Sequence, residues 1–346
     1  MNFVSDNAYG ASPEILAAVA RAAEGTAVSY GEDALTVRVR ERLAEIFEHE
    51  LAAFAVVSGT AANALSLAVL CPMYGAVFCH RKSHIAVDEC GAPEFFTGGG
   101  KLVLLEGEHA RIGPAAIEAA LGEFSAGVHS PKPAVVSITQ ASEMGAVYTP
   151  AQIRALADCA HGHGMALHMD GARFANAVAS LGCAPADIAW RAGVDALSLG
   201  ATKNGALMAE VAIFFDPARA AGFAYRQKKA GHLVSKMRFV SAQLDAYLAA
   251  GRWLDTARRA NALAARLGEG LRRIAGVTLA APVEANAVFA WMPGGMAARL
   301  RQVGARFYDW ETSRDGRVLA RLVCAFATPD EDVDRLLEIA RASGRD

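Results

Sequence analysis

Short apolar runs alternate with segments of helical periodicity over roughly residues 50 to 215. Most of the runs are apolar at successive positions, which is typical of strands buried on both faces. They span 52–57, 75–80, 101–105, 133–138, 165–170, 195–199 and 211–215, with helical segments at 60–70, 114–124 and 150–162. Because strands alternate with helices, the pattern predicts an α/β fold with a largely parallel sheet.

The two ends of the chain carry other patterns. Ser12 before Pro13, followed by a helical period of apolar residues, predicts a helix over 13–23, and a second helix is predicted over 34–49. A long helical stretch is predicted over 217–272. The rest, with apolar runs around a helix near 295–303 and a last helix from about 330, is of the α+β type.

These patterns divide the chain, whose 346 residues are enough for two domains, into three parts. Residues 1–48 are expected to form an N-terminal arm with helices. Residues 49–245 would form a large α/β domain, and residues 246–346 a smaller α+β domain. No linker rich in Pro, Gly or Ser marks the border between the two domains, and we find no internal repeat.

Charge and composition limit the classes of molecule that the protein is expected to bind. The chain has 34 Lys and Arg against 36 Asp and Glu, and this net charge of −2 argues against a protein that binds nucleic acid by neutralising phosphates. Its 53% apolar content indicates a folded globular protein. The longest apolar stretch, 64–79, is interrupted by Ser, Pro and Gly and is shorter than the about 20 residues of a membrane span. We expect neither a nucleic acid nor a membrane partner.

The N-terminus, the cysteines and the histidines bear on compartment and metal binding. The first ten residues, MNFVSDNAYG, lack the basic start of a signal peptide. The six cysteines show no CxxC pair and no clustering of metal-ligand type, which favours reduced thiols. His161 and His163 are interpreted as capping or solvated groups. We therefore expect a cytoplasmic protein without a metal site.

A turn between an apolar strand and a helix is a candidate phosphate site. It contains Ser58, Gly59 and Thr60, and free backbone N–H groups at a helix start can hold a phosphate. The alternative is a tight turn without a ligand. Neither GxGxxG nor GxxxxGK[ST] occurs in the chain, which argues against a dinucleotide site of that type and against a P-loop NTPase.

Two further strand ends carry single charged residues. Asp170 ends the run ALHMD, and its alternative interpretation is a helix N-cap. Lys203 lies in the loop ATKNG among small residues, where a solvated lysine is the alternative. Small neighbours allow a planar ligand to approach closely, and a desolvated lysine is what Schiff-base chemistry requires.

The order of these features, together with their flanking residues, resembles one enzyme family. SGTAAN at 58–63, HIAVDECGA from His84, LHMDGAR ending at Arg173, ATKNG and ARLVCAF are similar to segments of the threonine aldolase branch of the β-eliminating lyase family. The resemblance extends from Ser5 to Arg321. It implies a fold type I enzyme that depends on pyridoxal 5′-phosphate, with a large cofactor-binding domain and a smaller C-terminal domain.

The resemblance also implies roles in cofactor binding. Lys203 would carry the cofactor as a Schiff base, Asp170 would face its pyridine nitrogen, and His84 would lie flat on its ring. A carboxylate beside that nitrogen keeps the ring protonated and able to accept electrons. Arg238 is a candidate phosphate contact, or else one cation of a basic helical stretch. The other implied cofactor contacts are Ser58, Gly59, Thr60 and Arg173.

Arginine suits the α-carboxylate of an amino acid substrate because it donates two parallel hydrogen bonds. Arg321 and Arg173 match the carboxylate-binding residues of the family, with Ser5 adding a hydroxyl. Arg321 could instead be an edge position that faces solvent, but its apolar neighbours favour a buried, paired arginine. Tyr30 is implied near the site, contributed by a neighbouring subunit.

A base must take the proton of the β-hydroxyl when the Cα–Cβ bond breaks, and histidine titrates in the right range. His84 and His129 are the candidates. His129, ahead of the strand at 133–138, corresponds in position to a histidine that lines the hydroxyl pocket of the family. An ordered water that relays the proton is the alternative.

Two segments depart from the pattern of the family. TKNGA surrounds Lys203 where the family often has SKGLG, and TQASEMGAVY at 139–148 replaces an expected stretch with Asn and His. Lys203 is unaffected by these departures. They bear on the pocket for the β substituent, and hence on side-chain and stereochemical preference.

The activity implied by the resemblance is retro-aldol cleavage of L-threonine or L-allo-threonine to glycine and acetaldehyde. The first alternative keeps the cofactor but carries out β-elimination or transamination of another small amino acid. The second is a cofactor-bearing binding or regulatory module without turnover, which would be expected to carry an added domain. The resemblance further implies a homodimer or a homotetramer built as a dimer of dimers, with the active site between two subunits.

Overall fold

The structure, a computed structural model, describes residues 1–125 and 127–344. It contains a seven-stranded sheet in the first two thirds of the chain and a four-stranded sheet near the C-terminus. Among the helices of the described residues, none combines the length and apolar character that a bilayer crossing requires.

The first two helices lie where the periodicity predicts them. They are α1 (Pro13–Ala22) and α2 (Ala34–Phe47). Ser12 caps α1 and Asp33 caps α2, and each side-chain oxygen accepts a hydrogen bond from a backbone N–H of the first turn. The buried face of α2, with Val39, joins the core of the large sheet.

The strands and most of the helices of the large sheet also follow the predicted alternation. The strands are β1 (Ala52–Val56), β2 (Gly75–His80), β3 (Lys101–Leu105), β4 (Lys132–Thr139), β5 (Ala166–Gly171), β6 (Ala196–Gly200) and β7 (Glu210–Phe214). The helices between them are α3 (Gly59–Leu70), α4 (His84–Val87), α5 (Ala92–Thr97), α6 (Pro114–Gly122), α7 (Pro150–Gly162) and α8 (Phe174–Leu181).

The large sheet has the strand order β1-β7-β6-β5-β4-β2-β3. Strands from β6 to β3 are parallel, whereas β7 is antiparallel to both of its neighbours. This mostly parallel sheet confirms the predicted α/β class. Burial on both faces does not extend to β3, where Lys101 and Leu104 are exposed because the strand lies at the edge.

The predicted long helical stretch over 217–272 is wrong, because three glycines interrupt it. Gly222, Gly231 and Gly251 have positive φ angles of 83°, 80° and 73°. Glycine adopts this left-handed conformation without steric cost, and it is incompatible with a continuing right-handed helix. The stretch consists of α9 (Phe223–Lys229), α10 (Arg238–Leu248), α11 (Arg252–Arg272) and short 3₁₀ turns.

The second sheet belongs to the C-terminal part of the chain. Its antiparallel strands have the order β10-β11-β9-β8, so β11 lies between β9 and β10. The sequence pattern does not predict β10, whose residues are mostly exposed. The elements are β8 (Thr278–Leu279), β9 (Ala287–Pro293), α12 (Gly294–Gln302), β10 (Tyr308–Thr312), β11 (Arg317–Val323) and α13 (Asp330–Ser343).

Two hydrophobic cores meet along α11. Trp253 and Ala257 pack in the core of the large sheet, whereas Leu263 and Leu267 pack in the core of the small sheet. Phe3 of the N-terminal arm is also buried in the second core. The domain border predicted after residue 245 stays a prediction.

Candidate active site

Polar side chains gather where the central parallel strands end. Asp170 lies at the carboxyl end of β5 and pairs in register with Thr139 at the end of β4. Lys203 follows β6 in the 3₁₀ turn Thr202–Asn204. Since parallel strands bring their carboxyl ends to one edge of a sheet, residues distant in sequence meet there.

Two adjoining cavities open at this edge, and His84, Glu143, Arg173 and Lys203 line both of them. We call the larger one, of about 490 Å³, the outer cavity. It is also lined by Ser5, Tyr308, Trp310 and Arg321. The smaller one, of about 60 Å³, is the inner cavity, which is also lined by Gly59, Asn63 and Asp170.

Asp170 is buried and held by two donors. Asn63 Nδ2 donates to Oδ2 at 2.9 Å, and the Ala172 N–H donates to Oδ1 at 3.0 Å. The helix-cap interpretation of Asp170 is wrong, because α8 begins at Phe174 and its N-cap is Arg173. The carboxylate is therefore oriented by its neighbours at the wall of the inner cavity.

His84 is oriented by a network that the sequence does not reveal. Its Nδ1 lies 2.8 Å from Glu89 Oε1, and Asn63 Nδ2 donates to the same Glu89 oxygen at 2.9 Å. The hydrogen bond to Glu89 raises the pKa of His84 above its ordinary value, although burial opposes this. Asn63 thus links the Asp170 carboxylate to the His84–Glu89 pair.

Hydrogen bonds of the neighbouring Asn204 hold the turn that carries Lys203 in place. Asn204 Nδ2 donates to the Tyr247 hydroxyl at 3.0 Å and to the Trp253 carbonyl at 2.7 Å. Gly200, ahead of the turn, lies so near the Ala172 backbone that a Cβ there would come within 2.7 Å of the carbonyl oxygen. Lys203 is half-buried and lines both cavities, and no hydrogen bond or ion pair to a described residue engages its Nζ.

The predicted phosphate turn lies at the N-terminus of α3. Ser58 is the N-cap, and its Oγ accepts from the Ala61 N–H at 3.2 Å. Gly59 lines the inner cavity, and a Cβ at this position would meet nothing within 4 Å. Thr60 is the next helical residue and is half-buried. Backbone N–H groups and the positive end of the helix dipole are thus available beside the cavity.

Arg173 is tied to the N-terminal arm. Its Nε and Nη2 donate to the two Asp6 carboxylate oxygens at 2.8 and 2.9 Å, and the Asn286 side chain donates to Asp6 Oδ2 at 3.0 Å. Burial alone would raise the pKa of Asp6, but Arg173, Lys203 and these hydrogen bonds hold it below its ordinary value. Ser5 precedes this pair and lines the outer cavity.

Arg321 is half-buried, with its Nε fully buried, and it has no acidic partner among the described residues. It lies on β11, which is paired on both sides, so the solvent-facing edge position is wrong. The expected pairing is wrong too: no ion pair with a described residue engages the guanidinium, and its Nε has no hydrogen-bond partner. Its guanidinium carbon lies 5.9 and 5.6 Å from the ring centres of Tyr308 and Trp310. Burial and the nearby Arg173 lower the pKa of Arg321 to about 10.

Besides Ser58 and Thr60 at the start of α3, three predicted site residues do not line either cavity. His129 is exposed in a turn ahead of β4, at the opposite end of that strand from the Asp170 edge. Tyr30 is 47% exposed, with Lys228 Nζ 4.2 Å from its ring centre. Arg238 begins α10, where its Nη1 donates to the Gly25 carbonyl at 3.5 Å. The position of His129 therefore does not support a base role at these cavities, and that role stays a prediction.

Glu143 is a site residue that the sequence analysis missed. Its Oε1 accepts from the His84 N–H at 3.0 Å and from the Thr139 hydroxyl at 2.8 Å, while Oε2 is buried without a partner. Burial raises the pKa of Glu143 to about 7. The only signal in the sequence was that its segment, 139–148, departs from the family pattern.

One surface cluster carries side chains of metal-ligand type. One donor atom each of Glu118, Cys159 and His163 lies within 4.8 Å of the others. His163 is the C-cap of α7, as expected, and its Nε2 lies 2.9 Å from Glu118 Oε1. Because these contacts are hydrogen bonds among the three groups at an exposed surface, the absence of a metal site stays a prediction.

The residues around the cavities fit the expected pyridoxal phosphate. An unpaired amine at Lys203 could hold an aldehyde, a buried carboxylate at Asp170 could hold a protonated ring nitrogen, and the helix start at Gly59 could hold a phosphate. Arg321 in addition offers a half-buried cation that forms no ion pair with a described residue and whose Nε has no hydrogen-bond partner. Such a cation is costly unless a ligand supplies the counter-charge.

Comparisons with known proteins agree with this chemistry. The family described as beta-eliminating lyase matches residues 2–293. The low specificity L-threonine aldolase of Pseudomonas aeruginosa is 44% identical over 340 residues, which cover 98% of this chain and 96% of that protein. A second low specificity L-threonine aldolase, from a Pseudomonas species, is 43% identical over 341 residues, 98% of this chain and 97% of that protein.

Solved structures extend the comparison. A Leishmania major threonine aldolase superposes with a TM-score of 0.93 at 28% identity and covers 99% of this chain and 98% of its own. Sphingomonas wittichii serine palmitoyltransferase has a TM-score of 0.73 at 16% identity and covers 100% of this chain and 87% of its own. At that identity the second similarity is one of fold alone.

Proposed function

Because the chain belongs to the β-eliminating lyase family, we propose that it is a pyridoxal-phosphate-dependent threonine aldolase, which splits L-threonine or L-allo-threonine into glycine and acetaldehyde. The observation that carries this proposal is the unpaired Lys203 amine beside the buried Asp170 carboxylate and the unpaired Arg321. The aldolase names of the near full-length relatives support the reaction.

Breaking the Cα–Cβ bond of a β-hydroxy amino acid leaves an electron pair on Cα, and pyridoxal phosphate, when bound, supplies a ring that accepts the pair. Lys203 would hold the aldehyde carbon of the cofactor through Nζ, and Asp170 would hold its ring nitrogen. Gly59 and Thr60 would hold the phosphate with the backbone N–H groups of the first turn of α3. His84, with Nδ1 already engaged, would lie against the ring.

Arg321 would bind the α-carboxylate of the substrate. It lines the outer cavity beside two aromatic rings, and no acidic side chain of the described residues forms an ion pair with its guanidinium. Two parallel N–H donors fix both the position and the plane of a carboxylate. Arg173 donates two of its N–H groups to Asp6, so it would stay in place and add positive charge near the substrate carboxylate. Ser5 would add a hydroxyl group to the same carboxylate site.

We further propose that the protein is a homodimer or a dimer of dimers. This would give a role to Tyr30, His129 and Arg238, which do not reach the cavities of their own protomer. They could then contribute to the site of a neighbouring copy. Sedimentation velocity would test this proposal: a monomer at micromolar concentration would contradict it.

We also infer that the enzyme works in the cytoplasm. All six cysteines are free thiols, and exposed Cys90 has no disulfide partner. Free thiols of this kind are usual in a reducing compartment. Microscopy of the fluorescently tagged full-length chain in its source cells would test the inference.

Product analysis tests the reaction. Purified protein is loaded with pyridoxal phosphate and incubated separately with L-threonine and L-allo-threonine, and we expect equal amounts of glycine and acetaldehyde. Ammonia with a 2-keto acid would indicate β-elimination, and dependence on an added keto acid would indicate transamination. Either result without glycine would contradict the proposal. The ratio of the two rates gives the stereochemical preference.

A further inference from the structure

Glu143 is a half-buried residue with a fully buried carboxyl oxygen, Oε2, and the proposed reaction gives it no role so far. It lines both cavities together with Lys203 and His84. Oε1 is engaged by the His84 N–H and the Thr139 hydroxyl, but Oε2 has no partner among the described residues. A buried oxygen left without a partner is rare in folded proteins, and it indicates a ligand, a water or a proton at that atom.

The surroundings of Glu143 favour proton transfer near neutral pH. Burial raises its pKa to about 7, the Thr139 hydrogen bond lowers it, and the negative charge of Asp170 raises it further. A general base works best when its pKa is close to the working pH. The other titratable or charged groups among the described residues that face it or the cavities it lines are Cys79, His84, Asp88, Tyr148, Arg173, Lys203, Tyr308, Asp309 and Arg321.

The histidine candidates are less suitable. His84 has Nδ1 bound to Glu89, and this bond raises its pKa, so more of it carries a proton at neutral pH. His129 is exposed at the far end of β4 and does not line either cavity of its own protomer. Glu143 instead lies in the cavities that hold the Lys203 amine and is poised to accept a proton.

We propose that Glu143 is the acid–base group of the cleavage, an inference that rests on the proposed aldolase function. Its carboxylate takes the proton of the β-hydroxyl, the oxygen electrons form the C=O bond of acetaldehyde, and the Cα–Cβ pair stays with Cα. The proton then returns from Glu143 to Cα, and glycine is complete. One proton moves from oxygen to carbon, so no oxidant or further reactant is needed.

Glu143→Gln tests this role, because the amide keeps the shape but cannot accept the proton. We expect kcat to fall by about 10²–10⁴-fold, the usual contribution of a general base. KM for threonine and the dissociation constant of pyridoxal phosphate should change by less than about threefold, since Arg321 and Lys203 are untouched. Glu94→Gln is the matched control. Glu94 also has a buried Oε2 without a partner among the described residues, but it does not line the cavities. The Glu94→Gln variant should therefore keep the kcat of the wild type.

The pH profile separates a proton-transfer role from a structural one. In the wild type, kcat/KM should rise as the pH rises through about 7, because the ionised Glu143 is the active form. Thr139→Val removes a hydrogen bond to the ionised carboxyl, so the pKa should rise and this limb should move to higher pH. In Glu143→Gln, kcat/KM should no longer show this rise with pH. If the Gln variant does not fold, the shift in Thr139→Val decides.

A measurement on the protein without cofactor complements the kinetics. Infrared difference spectra of the apoprotein should show a protonated carboxyl band that titrates near pH 7 and is missing from Glu143→Gln. An unchanged kcat in Glu143→Gln, or a limb that ignores Thr139→Val, would overturn the acid–base role while the aldolase function stands. A wild-type protein that releases no glycine would overturn the proposed function and this role with it.

Discussion

At the scale of single residues, the site contains three charged groups, and other protein groups pair with them only in part. Asp170 has two donors, Arg321 has aromatic neighbours and no acid, and Lys203 Nζ has no partner among the described residues. Charged groups in a cleft are costly unless paired, so their incomplete pairing indicates the ligand that completes them. An amino acid and an aldehyde cofactor supply the missing carboxylate and carbonyl.

Replacing Asp170 tests the electron-accepting side of the site. In Asp170→Asn the neutral amide can still accept from the Ala172 N–H, but its NH2 group then faces the Asn63 NH2 donor, and the amide no longer favours a protonated ring nitrogen. We expect kcat to fall by about 10²-fold or more, with a melting temperature lowered only by the loss of the Asn63 hydrogen bond. Steady-state kinetics and calorimetry on the same preparation check this. A variant that is as active as the wild type would contradict the role of Asp170.

Replacing Arg321 tests the carboxylate site. Lysine keeps the charge of Arg321 but offers a single ammonium in place of two parallel donors. KM for threonine should rise by about tenfold in Arg321→Lys, with a smaller change in kcat. Arg317→Lys is a matched control, because Arg317 lies on the same strand and donates to the carbonyls of Gly276 and Trp291. Equal effects in the two variants would argue against the assignment.

The sequence predicts the charged residues at strand ends but not their partners. Lys203 and Asp170 follow apolar runs and are visible as motifs. Asn63 contacts Asp170 across 107 positions, and Asp6 contacts Arg173 across 167. Asn63 ends the segment SGTAAN and Asp6 follows Ser5, but neither segment indicates these contacts, so only the folded sheet brings the partners together. Arg321 was expected to be paired because a buried cation normally is.

At the scale of helices and strands, the sequence predicts an element correctly where its capping residues and its apolar periodicity indicate the same bounds. Ser12 and Pro13 fix the start of α1, and the apolar runs give the strands of the large sheet. These signals failed over 217–272, where a helical period continues through positive-φ glycines that separate the helices. They also failed at β10, which is held by pairing with β11 and not by an apolar pattern of its own.

Ser58, the N-cap residue of α3, is expected to affect both the stability of the protein and the binding of the cofactor. Ser58→Ala removes the acceptor for the Ala61 N–H and should lower the free energy of unfolding by about 1 kcal/mol. It should also weaken pyridoxal phosphate binding, because the same helix start faces the inner cavity. Ser12→Ala, at the cap of α1, should have a similar cost in stability and leave cofactor affinity unchanged. Equilibrium titration of the apoproteins with cofactor separates the two.

At the scale of the whole molecule, the N-terminal arm joins both sheets. Asp6 accepts from Arg173 beside the large sheet and from Asn286, which precedes β9 of the small sheet. Phe3 is buried in the second core. The overall α/β class was predictable because strands and helices alternate without interruption over roughly residues 50 to 215. This joining role of the arm was not, because it depends on contacts between the two ends of the chain.

The Asp6–Arg173 pair makes stability depend on pH. Because the folded protein holds the pKa of Asp6 below its ordinary value, the stabilisation is complete above the unfolded value of about 4 and is lost as the pH falls through the folded value. Asp6→Asn should lower the free energy of unfolding by about 3 kcal/mol at neutral pH. Urea midpoints should converge with those of the wild type as the pH falls below about 4. A difference that is constant with pH would contradict this explanation.

The central claim is that the Lys203 amine carries the cofactor, and borohydride reduction followed by peptide mapping tests it most directly. Reduction of the protein loaded with pyridoxal phosphate should leave a stable phosphopyridoxyl group on the peptide that contains Lys203, and Lys203→Ala should acquire none. A label on another lysine, or an unlabelled wild-type protein, would contradict the account.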